Sequence, residues 1–262
     1  MAYERIKLEV EGALASIVLN RPEARNAMTG EMGDEIARAV EEINARAEIR
    51  CVLVRAEGAA FAAGGDFKYL EARAAGDGES NRRAMRAFYE KYLSVRALRV
   101  PSIAVVQGAA VGAGLCFALA CDIRLAARGA KMGLNFTRLG LHPGMGGSWL
   151  LPRLVGEAKA AELLFTGRLI EAEEAARIGM VNAVHDPEAL LPAARAMAEE
   201  IARSAPIAVA QTKGNLYRNA GRSLAEALDA EAYAQAIDYA TEDMKEGIRS
   251  FHEKRAPVFK GK

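Results

Sequence analysis

The chain has 262 residues, of which 51% are apolar and 26% charged, with a formal net charge of +1. That much apolar surface offsets the entropy of ordering a large domain, so a disordered chain is excluded. Near-neutral charge and 6% aromatic content exclude a surface that recruits nucleic acid or anionic lipid as a whole, and a stacking platform for single strands.

Lys7–Val10 and Ala13–Leu19 flank Glu11-Gly12 and predict a β-hairpin. Met32, Ile36, Val40 and Ile43 recur at helical spacing, which predicts a helix from about Thr29 to Ala47. Cys51–Gly58 is a near-continuous apolar strand ending in a turn. Phe61–Asp66 is a loop of small residues, with Asp66 placed to cap a helix starting at Phe67. Ala74–Ser80 predicts a mobile loop, and Asn81–Leu98 a helix. Ile103–Cys121 is uncharged for 19 residues, the length of a membrane span. Gln107, Gly108, Gly112 and Gly114 interrupt it, so we read a strand at Ser102–Val106, a glycine turn and a helix at Gly112–Ala120, with no membrane partner. A strand at Ile123–Ala126, a glycine-rich loop at Leu139–Gly147, helices at Glu157–Phe165 and Glu171–Ile178 and a strand at Met180–Val184 follow.

From Pro187 the pattern is helical throughout: Pro187–Ser204, Pro206–Asn219, Ser223–Tyr239 and Thr241–Glu253. The chain therefore reads as α/β up to residue 195 and all-helical over 196–262, with no internal repeat visible. Leu224, Leu228, Tyr233, Ile237, Met244, Ile248 and Phe251 give the last helices apolar faces too large to bury on themselves, which predicts self-association. Cys51, Cys116 and Cys121 lie in apolar stretches without metal-ligand spacing and read as free thiols of a reducing compartment. Charges in MAYERIKLEVEG argue against a signal peptide and for a cytoplasmic protein.

Several chemistries are excluded by spacing. Gly108-x-x-x-Gly112-x-Gly114 lacks the third glycine and the later acidic residue of a dinucleotide fingerprint. No P-loop or nucleophile elbow is present, and His142, His185 and His252 are too scattered for a zinc site. Two small-residue turns remain, Ala62–Asp66 and Gly108–Gly114, each leading from a strand into a helix. Helix N-termini offer free N–H groups, and small residues let a ligand approach them. Facing each other, the turns would form an oxyanion hole; otherwise they are tight turns that pack helices on a sheet.

The ordered motifs Leu19-Asn20-Arg21-Pro22, Phe61–Lys68, Gln107–Ile123, Leu139–Gly147 and Phe251–Arg255 give the whole chain a resemblance to the crotonase, or enoyl-CoA hydratase/isomerase, superfamily. The resemblance implies a crotonase-type spiral of ββα units, an all-helical C-terminal trimerisation region (a homotrimer or dimer of trimers) and an acyl-CoA substrate that carries its own coenzyme A, with no metal or further cofactor. It assigns the oxyanion donors to the N–H groups of Gly65 and Ala113. It places Arg25, Ala27, Ala63, Gly65, Asp66, Phe67, Lys68 and Phe136 around the CoA thioester, and it sends Phe259 and Lys260 to a neighbouring subunit's CoA. Hydratases of the family use two glutamates, and the aligned positions here are Cys116 and Phe136. An aspartate used by some isomerases aligns near Gly144, and no Asp or Glu occurs between Asp122 and Glu157. Hydration needs a positioned acid and base, so standard hydration is doubtful; His142 and Cys116 are the candidate substitutes. Two functions fit: an enzyme that stabilises a thioester enolate, such as a decarboxylase, an isomerase or a slow hydratase, or a catalytically silent acyl-CoA-binding scaffold.

Overall fold

The computed structural model describes residues 2–262. β1 (Ile6–Glu11) and β2 (Leu14–Leu19) pair antiparallel as the predicted hairpin. α1 (Gly30–Asn44) follows, with the Thr29 hydroxyl accepting from the Met32 N–H as its N-cap. Its apolar stripe, Met32, Ile36, Val40 and Ile43, is buried.

Beyond this point the chain alternates between two sheets. β3 (Cys51–Ala56) enters the first sheet and β4 (Ala60–Ala62) the second, before α2 (Phe67–Ala74) and α3 (Gly78–Leu93). β5 (Ser102–Val106), β6 (Ala109–Val111) and α4 (Ala113–Ala120) repeat the pattern, and so do β7 (Ile123–Ala127), β8 (Lys131–Gly133) and α5 (Gly147–Val155). After α6 (Glu157–Thr166), β9 (Ile170–Glu171) joins the second sheet; α7 (Ala172–Arg177) leads to β10 (Ala183–His185) in the first. The strand orders are β1-β2-β3-β5-β7-β10 and β4-β6-β8-β9. Each ββα unit thus contributes one strand to each sheet. The units are built from different side chains, so the repeat is structural and leaves no sequence period.

Three expectations are corrected. The second sheet was not anticipated: two- and three-residue strands are too short to show alternation. The loop expected at Ala74–Ser80 shrinks to residues 75–77, because the Asp77 carboxylate accepts from the N–H groups of Glu79 and Ser80 and starts α3 early. The division at residues 195 and 196 falls inside α8 (Pro187–Ala202), which packs on β2, β3, β5, β7 and β10 and so belongs to the core.

α9 (Pro206–Asn219), α10 (Leu224–Tyr239) and α11 (Glu242–His252) complete the chain. Lys213 of α9 ties them to the core: its ammonium lies 2.8 Å from the Asp122 carboxylate and 2.8 Å from the Val100 carbonyl. Leu224, Tyr233 and Phe251 are 76%, 74% and 82% exposed, the apolar faces expected from the sequence.

Asn26 organises the loop beside the site. It is fully buried in the left-handed region at φ +54. Its side chain accepts from the Arg21 N–H and donates to the carbonyls of Glu57 and Ala60. Asn26→Ala removes three hydrogen bonds of about 1 kcal/mol each, so we expect a loss of about 2–4 kcal/mol, read from the urea midpoint.

Candidate active site

β4 and β6 are parallel neighbours, with Ala62 opposite Ala110. The turns that leave them therefore emerge side by side at one end of the second sheet. Two glycines make this possible. Gly112 sits at φ +55, a conformation that side chains oppose. A Cβ on Gly114 would lie 2.3 Å from the Ala62 carbonyl oxygen, so only glycine lets α4 start this close to β4.

Ala113 is the first residue of α4, where an N–H has no partner within the helix. The Gly65 N–H likewise donates to no acceptor among the described residues, although its neighbours do: the Ala63 and Asp66 N–H groups donate to the Arg25 and Met28 carbonyls, at 3.0 and 3.1 Å. Gly65 and Ala113 both line one cavity of about 460 Å³. The site thus presents two free main-chain donors from adjacent turns, as an oxyanion hole requires.

Ala63, Phe67 and Phe136 line the same cavity, and Phe67 is 70% exposed. Asp66 acts as a cap and a clamp. Its carboxylate accepts from the Lys68 N–H and lies 3.4 Å from the Arg21 guanidinium, which also donates to the Ala27 carbonyl. That network fixes the Arg25–Ala27 loop alongside the Gly65 turn. Arg25 and Lys68 remain exposed beside it.

Phe259 and Lys260 are not brought to this cavity. The Phe259 carbonyl accepts from Arg50, the Lys260 N–H donates to Asp243 and the Phe259 ring packs near Gly247 of α11. A role for them at a CoA would have to be at another copy's site. His142 lines the cavity but is exposed.

Cys116 requires a correction. It is fully buried and does not line the cavity; its Sγ lies 3.4 Å from the Gly144 carbonyl, and burial pushes the thiol up to about 12. A proton held that tightly, out of reach of a ligand, makes no acid–base group. Burial does the same to Cys51 and Cys121, each also pushed up to about 12. We expect no thiol to react with Ellman's reagent at pH 8 in the native protein, and three to react in denaturant. Rapid labelling of the folded protein would contradict this packing.

The cavity wall holds polar groups that sequence reasoning missed. No Asp or Glu is among its lining residues. Among the described residues, Arg73 Nε and Asn81 Oδ1 are buried there without partners, and Arg73 forms no ion pair. Tyr89 also lines the cavity, with its hydroxyl beside Gly144. The amphipathic pattern of α3 marks Tyr89 only as half-buried, so the sequence carried no signal for it.

The sequence profile of the family described as enoyl-CoA hydratase/isomerase matches residues 9–262. A crotonyl-CoA hydratase from Syntrophomonas wolfei is 38% identical over 261 residues, 99% of each chain. The structure of an enoyl-CoA hydratase from Bacillus anthracis superposes with a TM-score of 0.93 at 36% identity, over 99% of this chain and 100% of that one. An enoyl-CoA hydratase from Polaromonas superposes with a TM-score of 0.92 at 34% identity, over 97% and 99%.

Proposed function

Because the chain belongs to the enoyl-CoA hydratase/isomerase family, we propose that it binds an acyl-CoA and stabilises the enolate of its thioester between the N–H groups of Gly65 and Ala113. The observation that carries this is the pair of free donors on adjacent turns, facing a cavity with no carboxylate in its wall.

An enolate oxygen gains charge as it forms, and preorganised donors stabilise that charge by roughly 3–4 kcal/mol each. Making the enolate by deprotonation needs a base, and the positions where the family's hydratases carry glutamates hold Cys116 and Phe136. One is a buried neutral thiol and the other an apolar ring. Decarboxylation needs no base, because breaking the carbon–carbon bond itself delivers the electron pair. An α-carboxyacyl-CoA is therefore the substrate class that best fits the site. Arg73, a cation of the cavity wall without a carboxylate partner, favours the entry of such an acyl group. Coenzyme A arrives with the substrate, so the chemistry calls on no resident cofactor. The protein would act in the cytoplasm; no helix among the described residues is long and apolar enough to cross a membrane.

The exposed apolar residues of α10 and α11 support assembly into a homotrimer or dimer of trimers, with Phe259 and Lys260 offered to a neighbour's CoA. Light scattering checks the assembly, and a monomer mass would sink it. Turnover of malonyl-type and enoyl-CoA thioesters, with thermal protection read in parallel, tests the function. Protection with turnover of the α-carboxy substrates supports it. Protection without any turnover would make the protein a binding scaffold.

A further inference from the structure

The cavity contains a proton donor that does not depend on a carboxylate. Tyr89 of α3 lines it together with Gly65 and Ala113. One close approach locates its hydroxyl. A Cβ built on Gly144 would lie 2.6 Å from the Tyr89 hydroxyl oxygen, so that oxygen occupies the space a side chain at residue 144 would need. Gly144 in turn touches Cys116 through the 3.4 Å contact of its carbonyl with Sγ. Cys116 lies three residues beyond Ala113 on α4, about 4.5 Å along the axis. The hydroxyl therefore sits against the Gly144 loop, and Tyr89 shares the cavity wall with Gly65 and Ala113.

The Tyr89 hydroxyl hydrogen-bonds to no described residue, and it is not among the polar atoms sealed from solvent. Its ring is held: Phe88, the preceding residue, packs edge-on to it at 6.5 Å and is itself buried. Burial raises its pKa, with further upward contributions from Cys116 and Tyr69. It thus remains protonated at neutral pH, with its O–H free to point at a ligand. Tyr69 is the other tyrosine of the cavity, but it stacks on Phe88 at 5.1 Å and lies under the Arg73 guanidinium.

We propose that Tyr89 is a catalytic residue that delivers its hydroxyl proton to Cα of the thioester enolate. The proposal rests on the enolate chemistry above. With an α-carboxyacyl-CoA, the bond between Cα and the carboxylate breaks and carbon dioxide leaves. The electron pair enters the enolate, whose oxygen is held by Gly65 and Ala113. The Tyr89 O–H then gives its proton to Cα, the enolate pair forms the new C–H bond, and the tyrosinate takes a proton from water. A fixed donor on one side of the enolate plane makes that protonation stereospecific.

The experiment uses malonyl-CoA carrying an α-methyl group as the probe, in deuterium oxide, with wild type, Tyr89→Phe, Tyr69→Phe and Gly144→Ala. The wild type is expected to give a product with one deuterium at Cα and a single configuration. Tyr89→Phe keeps the ring and the packing; it should lower kcat about 10²–10³-fold, leave KM within about threefold and give a racemic deuterated centre. Tyr69→Phe keeps its ring stack on Phe88 and should still give a single configuration at Cα, whatever its rate. Gly144→Ala displaces the hydroxyl without removing it and should lose rate in the wild-type background but little more in Tyr89→Phe, because both changes act on one group. Stereospecific protonation at an unchanged rate in Tyr89→Phe would overturn the proposal while leaving the enolate function standing. A wild type that binds the probe and turns over no thioester would overturn both.

Discussion

Ala113→Pro is expected to fold, to bind acyl-CoA and to lose about 10²–10³ in kcat, the cost of one oxyanion donor. The first position of a helix tolerates proline, whose missing N–H would have no partner within the helix. Ala113 holds that position in α4, so the change deletes the donor with little cost to the helix. Gly65→Pro removes the second donor and should act comparably. Gly65→Ala is the control: its Cβ would meet only Leu70, at 3.7 Å, and its N–H remains, so activity should stay within a few-fold of wild type. The measurement is kcat on the best thioester, with thermal protection by an unreactive acyl-CoA confirming that the cavity survives. If the proline variants turn over as fast as the alanine variant, the enolate oxygen is held elsewhere.

Why the two donors meet was legible in the sequence only in part. The small-residue turns before α2 and α4 could be read, and so could Asp66 as a cap, because those features are local. That the turns face each other depends on β4 pairing with β6, and three-residue strands carry too little pattern to announce themselves. The helices with one apolar stripe, such as α1, were read to within a few residues. α5 was missed beyond the glycine-rich loop that leads into it. α4 shows a different limit: all of its residues are buried, so no periodicity tells which side meets a ligand. The sequence therefore leaves Cys116 open as a core thiol or a cavity residue, and in the fold it is a core thiol packed against the Gly144 carbonyl. Tyr89 was missed for the converse reason. Its value depends on the empty space above Gly144, a long-range contact between α3 and a loop more than fifty residues later.

Crotonyl-CoA hydration should be at trace level in the wild type, far below an ordinary enzyme rate of roughly 10 s⁻¹. Adding water needs a base for the water and an acid for Cα, and each contributes about 10²–10⁴-fold. Phe136 lines the cavity, with its ring tip 3.9 Å from where a Cβ on Gly112 would lie, so Phe136→Glu delivers a carboxylate beside the oxyanion turn. Cys116→Glu is more demanding. Its Sγ already lies 3.2 Å from where a Cβ on Gly147 would be, so the longer side chain overpacks the region between α4 and the loop unless it extends past Gly144 toward the cavity. Desolvation of each carboxylate costs about 1–3 kcal/mol, and overpacking at residue 116 adds about 1–3 kcal/mol. A melting temperature lower by on the order of 10 °C is therefore expected for the double variant. Its hydration rate should nevertheless rise at least 10²-fold, and by more than the two single changes combined on a free-energy scale, because acid and base act as a unit. Phe136→Glu alone should show the smaller gain without the large loss of stability. A wild type that hydrates crotonyl-CoA at ordinary rates would refute the inference from the missing carboxylates. The acid–base work would then fall to groups already in the cavity wall, with Tyr89 and His142 the two to be replaced first.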